Sequence, residues 1–325
     1  MQIKLDAEST PMRFVTYNLR YDSQPDNITV KQSLALLPNP LEGPGYFRKS
    51  GEQPWSIRRL RVAEQLLGEG IILAGFQEAL DRQVHDLAEL FGPEWDWVGV
   101  GRDDGARAGE YSPIFYKKSE VVLLSYDSFW TSNTPFVPSR FPDAGSHRVC
   151  TTVHLQRRNG GQKFTVLNTH MDDRSDAQRR HAASMILARA RYESETTSAP
   201  VFVLGDFNSP PTGRDAAAYE IATGVRPPGT LPLDFAARYP ASPDWSAFAL
   251  HDLRAHTPRR AVSANHATFT GFTAPNNTRD WSRIDFVFGG ANGGWESTSY
   301  RVGSALTDDG VLASDHRPVF ADVRI

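Results

Sequence analysis

The chain closes on ASDHRPVFADV, residues 313–323, where Asp315 and His316 stand side by side. They come immediately before a run of alternating apolar residues with the period of a β-strand, 318–323. An isolated Asp-His pair is ordinarily a surface salt bridge of little consequence. It gains meaning only if other strands bring polar residues to their own ends, so the rest of the chain decides how it is read.

Strand-like segments recur at 13–18, 71–77, 112–116, 149–155, 164–170, 201–207 and 283–288. Between them lie helical patterns. PWSIRRLRVAEQLL (54–67) sets Ile57, Leu60, Ala63 and Leu67 at helical spacing, with Gly68 and Gly70 as stops. DRQVHDLAELF (81–91) and the stretch 175–192, with Ser175 as N-cap, repeat the pattern. Interleaved strands and helices predict an α/β layered fold, read as one domain over 1–325 with its core from about residue 12. Two irregular stretches rich in Pro and Gly, 23–53 and 223–244, are long enough to shape a substrate site.

Composition narrows the function classes. With 325 residues, 40% hydrophobic and 22% charged, the chain has the make-up of a globular enzyme. No apolar run approaches membrane-spanning length and the N-terminal residues lack the apolar stretch of a signal peptide, so no membrane association is expected. The single cysteine, Cys150, lies in a period-two strand pattern and reads as a small buried residue. Together these favour a reducing, cytoplasmic setting. A net charge of −3 with only short basic clusters speaks against a protein that tracks many phosphates along a duplex.

The strand ends answer the opening question. They deliver Asn18, Glu78, Glu110, then Asn168, His170 and Asp172, then Asp206 and Asn208, Asp285, and finally Asp315 and His316. Each alone is an ordinary cap or turn residue. Seven such sites in order are a pattern. It resembles the endonuclease/exonuclease/phosphatase superfamily, the deoxyribonuclease I-like fold. The resemblance rests on Asn18, Gln77-Glu78, Asn168-Thr-His170, the GDFN of 205–208, Ile284-Asp285 and the SDHRPV of 314–319. It implies a four-layer α/β sandwich, two mixed β-sheets packed face to face and flanked by helices. In the abasic-site nuclease branch an acid follows two residues after this Asn; here the position holds Arg20, which argues against that branch.

Phosphoester hydrolysis needs an in-line water, neutralised phosphoryl oxygens and a stabilised leaving oxygen. A hard divalent cation on oxygen ligands supplies the last two, so Mg²⁺, with Mn²⁺ as an alternative, is the expected cofactor. Glu78 is read as the first metal ligand, with Asp315 and Asn18 contributing directly or through water. The resemblance gives Asp206 the role of orienting or deprotonating the water and Asn208 a hydrogen bond to a phosphoryl oxygen. It sets His316 on the scissile phosphate, oriented by Asp285, and His170 on a phosphate oxygen or the leaving group, oriented by Glu110. Arg102, Arg148, Asn168 and Trp281 are candidate substrate contacts, and Phe272 is expected in the core.

The chain therefore reads as a metal-dependent phosphoester hydrolase. A phosphodiester is favoured slightly over a monoester because Asn18, Asn208 and the histidines are neutral donors. The alternative is a phosphomonoesterase for an inositol- or sugar-phosphate, which a dense cationic pocket would favour; Arg48-Lys49 with Arg58 and Arg59 are candidates for it. A catalytically silent binding module would be marked by loss of one acid or histidine, and none is missing. The expected partner is a small or short nucleic-acid phosphoester, without tight duplex binding; the oligomeric state stays open.

Overall fold

The structure, a computed structural model, describes residues 10–37, 51–242, 247–273 and 276–325. Its first sheet contains β1 (Met12–Asn18), β2 (Leu73–Gln77), β3 (Trp95–Val98), β4 (Ile114–Lys117), β11 (Glu296–Val302) and β12 (Val319–Arg324). The second contains β5 (Val121–Trp130), β6 (Val149–Arg157), β7 (Lys163–His170), β8 (Val201–Asp206), β9 (Leu250–Asp252) and β10 (Asp285–Gly290). The strand orders are β11-β12-β1-β2-β4-β3 and β5-β6-β7-β8-β10-β9. Each sheet has one parallel pair at its centre, β1 with β2 and β7 with β8, among antiparallel neighbours.

Strand alternation explains the layers. In β1, Phe14 faces the other sheet while Val15 and Tyr17 face helices α2 (Trp55–Leu67), which follows the short α1 (Val30–Ala35), and α3 (Asp81–Phe91). In β8, Phe202 and Leu204 face the first sheet while Val201 and Val203 pack under α4 (Asp176–Thr197). Three apolar interfaces result, helix on sheet, sheet on sheet and sheet on helix, which is the four-layer sandwich. Gly68 closes α2, and the Ser175 hydroxyl caps α4 by accepting from the Gln178 N–H. Cys150 is buried and unpaired. No helix among the described residues is long and apolar enough to cross a membrane.

The same alternation positions the site. Continuing the inter-sheet face of β1 by twos from Phe14 leads through Thr16 to Asn18; in β8 it leads from Phe202 to Asp206, and in β7 from Phe164 to Asn168 and His170. Polar residues on these inward faces must therefore meet at one edge of the inter-sheet layer.

Candidate active site

At that edge lies a cleft of about 870 Å³ whose walls include Glu78, Glu110, His170, Asp206, Asn208, Asp315 and His316. Three non-glycine residues around it adopt left-handed backbone, Arg20 (φ 56), Glu78 (φ 59) and Asn208 (φ 46), each just past the end of a strand. Asparagine tolerates that conformation. For arginine and glutamate it stores strain of order 1–3 kcal/mol each, which the surrounding structure must hold in place.

Asp206 is the hub. Its Oδ2 accepts from Asn18 Nδ2 at 2.9 Å and lies 3.5 Å from His170 Nε2 and 3.6 Å from His316 Nε2. Its Oδ1 accepts the Asn208 N–H at 2.9 Å. Burial, reinforced by the Asp285 charge and opposed by His316 and Asn18, pushes this carboxyl up to about 7. His316 Nδ1 donates to Asp285 Oδ2 at 2.8 Å. Burial opposes a charged ring there, yet Asp285 and Asp206 outweigh it and push His316 up to about 10. Asp285 is itself fixed in place, since its own N–H and that of Ile284 donate to the Thr268 hydroxyl.

The other histidine is different. Asn208 Nδ2 donates to the Met171 carbonyl at 3.0 Å and lies 3.0 Å from His170 Nε2. With the amide nitrogen fixed by that carbonyl, the ring nitrogen facing it is the acceptor, and the His170 proton sits on Nδ1. Burial, then the Arg148 and Arg102 charges, hold His170 well below its ordinary range, so it is neutral. The Asn208 amide protons are thus already taken by protein acceptors, contrary to the expected hydrogen bond from Asn208 to phosphate. Glu110 is likewise not bonded to His170. Its carboxylate accepts from Arg102 at 2.6 Å and is 3.8 Å from His170 Nδ1, and burial pushes it up to about 7 even beside that guanidinium.

Glu78 and Asp315 offer hard oxygens to the same cleft. Glu78 is oriented from both sides, by Asn18 Nδ2 on Oε1 at 2.9 Å and by the Tyr21 N–H on Oε2 at 3.1 Å. Asp315 forms no ion pair among the described residues; burial, with the Glu78 charge adding and His316 opposing, pushes its carboxyl up. The two carboxylates are close enough for the Glu78 charge to act on Asp315, with the Arg20 guanidinium acting on both, and together they offer the hard oxygens that a divalent ion takes. Asn18 bridges Glu78 and Asp206 through Nδ2, and its oxygen is taken by the Arg20 N–H at 2.9 Å. Asp206, Asp285 and His316 also lie close enough together to hold a metal. The 2.8 Å bond from His316 to Asp285 instead marks that group as an oriented imidazolium.

Several expectations need correction. Asn168 does not reach the cleft: it is fully buried one inward position before His170. There it donates to the Phe76 and Pro113 carbonyls and accepts from Gln77 Nε2, joining the two sheets. Gly75 makes room for it, since a Cβ there would stand 2.8 Å from the Asn168 side chain. Trp281 is not among the residues that line the cleft; the Arg317 guanidinium lies 4.5 Å over its ring. Phe272 lies 5.6 Å from the Arg58 guanidinium. Arg58 and Arg59 are buried away from the cleft, and Arg48-Lys49 fall outside the described residues.

Arg102 and Arg148 do line the cleft, held by Glu110 and by Asp172 and Asp173. Asp172 is the fold's clamp for that wall, accepting from the backbone of Gly145, Ser146, Arg174 and Ser175. The structure adds wall residues that the sequence reading passed over, Asp173, Arg174, Arg179, Asp215, Phe269 and Asp280. The MDDR run directly after His170 was the available signal for the first of these.

Two sheets of this order, with an acid-histidine cluster where the central strands end, define a phosphoester-hydrolase scaffold. The endonuclease/exonuclease/phosphatase family profile matches residues 15–316, and the chain belongs to that family. An endonuclease/exonuclease/phosphatase from Bacteroides vulgatus superposes with TM-score 0.73 at 28% identity, covering 98% of this chain and 100% of that one. A mannosyl-6-phosphatase from Bacteroides thetaiotaomicron shares the fold with TM-score 0.71 at 24% identity, over 97% and 100% of the two chains. TDP2 from D. rerio, complexed with a single-stranded DNA product, does so with TM-score 0.61 at 14% identity, over 98% and 100%. No curated protein sequence matches the chain.

Proposed function

We propose that the protein is a divalent-metal-dependent phosphatase for a small phosphorylated polyol, a sugar- or inositol-phosphate. One observation carries the choice: the cleft wall beyond the acid-histidine cluster interleaves Arg148, Arg174 and Arg179 with Asp173, Asp215 and Asp280. Interleaved donors and acceptors suit a ring of hydroxyls, each of which both gives and takes a hydrogen bond. The cleft is not the dense cationic pocket that would favour a monoester by charge alone, since acids stand among its arginines, and the choice rests on the mixed character of the wall. The fold shared with the mannosyl-6-phosphatase agrees with this reading.

In this mechanism Asp206, poised near neutrality, takes the proton of the attacking water. His316, held charged and oriented by Asp285, donates to a phosphoryl oxygen. Neutral His170 holds the Asn208 amide, and Arg102 and Arg148 present positive charge to the departing side. Bound at Glu78 and Asp315, Mg²⁺ or Mn²⁺ would supply Lewis-acid stabilisation of the phosphoryl and leaving oxygens.

A second reading has its own support. The Phe269 and Tyr21 rings line the cleft, with Phe269 set edge-on to His316 at 5.0 Å, and aromatic walls suit the base of a short nucleotide diester. Phosphate release from mannose 6-phosphate, glucose 6-phosphate and inositol phosphates, measured with Mn²⁺ beside bis(p-nitrophenyl) phosphate and a short single-stranded oligonucleotide, separates the two. Higher kcat/KM on the monoesters supports the phosphatase; higher kcat/KM on either diester replaces it.

A further inference from the structure

Arg58 is a fully buried arginine in α2 that does not touch the cleft. Its donors are all spent on main-chain carbonyls. Nε donates to Gln53 at 2.9 Å, Nη1 to Leu19 at 2.6 Å and Ala313 at 3.0 Å, and Nη2 to Arg20 at 3.1 Å and Tyr21 at 3.3 Å. Among the described residues it forms no ion pair. Burying a guanidinium against neutral acceptors is costly, and neutral side chains could tie down the same carbonyls.

What those carbonyls belong to gives the arrangement its sense. Residues 19–21 are the segment whose N–H groups orient the site: Tyr21 donates to Glu78, and Arg20 to Asn18. Ala313 stands two residues before Asp315, and the intervening Ser314 hydroxyl donates to the Asn18 carbonyl at 2.7 Å. One planar fork thus fastens the segment that aims Glu78 to the segment that carries Asp315, from opposite ends of the chain. Its charge also acts on the Asp315 carboxylate.

We propose that Arg58 is a positioning residue that sets the spacing of Glu78 and Asp315 and thereby the affinity of the site for a divalent cation. The inference rests on the metal reading above. A lysine keeps the charge but presents three donors from one point, so it cannot reproduce the fork.

The test is Mn²⁺ binding followed by electron paramagnetic resonance of the free ion, in wild type, Arg58→Lys and Glu78→Gln, with circular dichroism and melting curves recorded without metal. Arg58→Lys is expected to keep a cooperative melt while its Mn²⁺ Kd rises about 10–100-fold, the range for losing a partner that orients metal ligands. Its hydrolytic activity should recover as Mn²⁺ is raised. An unchanged Kd with a lowered melting point would reduce Arg58 to a structural staple and overturn the proposal. No Mn²⁺ binding by wild type would instead remove the metal reading, and this inference with it. Should Arg58→Lys not fold, the side-chain ¹⁵N resonances of Arg58 in the wild-type protein serve: they should shift with Mg²⁺ in step with binding, and no shift overturns the proposal.

Discussion

Asn18, the last residue of β1, donates to Asp206, the last residue of β8, so one 2.9 Å hydrogen bond joins the central strands of the two sheets at the cleft. The same amide nitrogen holds Glu78 at 2.9 Å. Replacing Asn18 with Ala should leave the Asp206 and Glu78 carboxylates without their shared donor. The expected result is a loss of kcat together with a higher Mg²⁺ requirement, checked by activity against metal concentration. An unchanged metal profile would separate Asn18 from the site.

Metal removal is the second prediction. Hydrolysis should stop in excess chelator and return with Mg²⁺ or Mn²⁺, and Glu78→Gln should raise the metal concentration needed for half activity without lowering the melting point. Full turnover in chelator would take the cation out of the mechanism.

How much of this was legible beforehand follows from strand position. The interior strands all announced themselves through apolar runs or alternation. The strands that did not, β3, β5, β9 and β11, are the four sheet edges. Edge strands are short or polar on both faces. Leu124 and Tyr126 in the middle of β5 are exposed, and register shifts in β5 and β11 break the two-residue period. The reactive cluster was legible because its residues end interior strands. The Asp173–Asp280 wall was not, because it is assembled from loops, and alternation is silent there. Asn168 misled for a physical reason: it shares its face with His170 but sits one inward step deeper, where an amide can only serve the core.

That correction yields a third prediction. Asn168→Ala removes the side-chain donor to the Phe76 and Pro113 carbonyls and one acceptor of the Gln77 amide in the inter-sheet core, leaving Pro113 with the Phe76 N–H and Gln77 with Thr16 and Gly75. It should cost about 1–3 kcal/mol in urea unfolding while leaving KM unchanged. A changed KM at undiminished stability would return Asn168 to the substrate.

A fourth concerns pH. Burial, then Arg148 and Arg102, depress the His170 pKa, so between that value and the unfolded pKa of about 6.5 the unfolded chain binds the extra proton. Stability contributed by neutral His170 is therefore present above about 6.5 and is lost as pH falls below it. In chelator, wild type should lose more stability than His170→Gln between neutral and mildly acidic pH. Equal losses would show that His170 titrates normally in the folded protein.

Duplex DNA should bind only weakly at physiological salt, at a Kd of about 10⁻⁴ M or poorer, given the net charge of −3 and arginines already paired with acids. Fluorescence anisotropy of a labelled duplex across a salt series checks this, and tight binding with a steep salt slope would point to a nuclease.

The central claim is that Asp285, His316 and Asp206 act as one unit on a phosphoester. The most direct measurement is kcat for His316→Ala, Asp285→Asn and the double variant, on whichever phosphoester the wild type hydrolyses best with Mn²⁺. Each single variant should lose about 10²–10⁴ in kcat, since removing the ring or its orienting carboxylate both cost the positioned charge. The double variant should be little worse than either, because groups acting as a unit are not additive. Near-wild-type turnover in His316→Ala would contradict the account and leave Asp315-His316 as the ordinary acid-histidine pair that the sequence alone would allow.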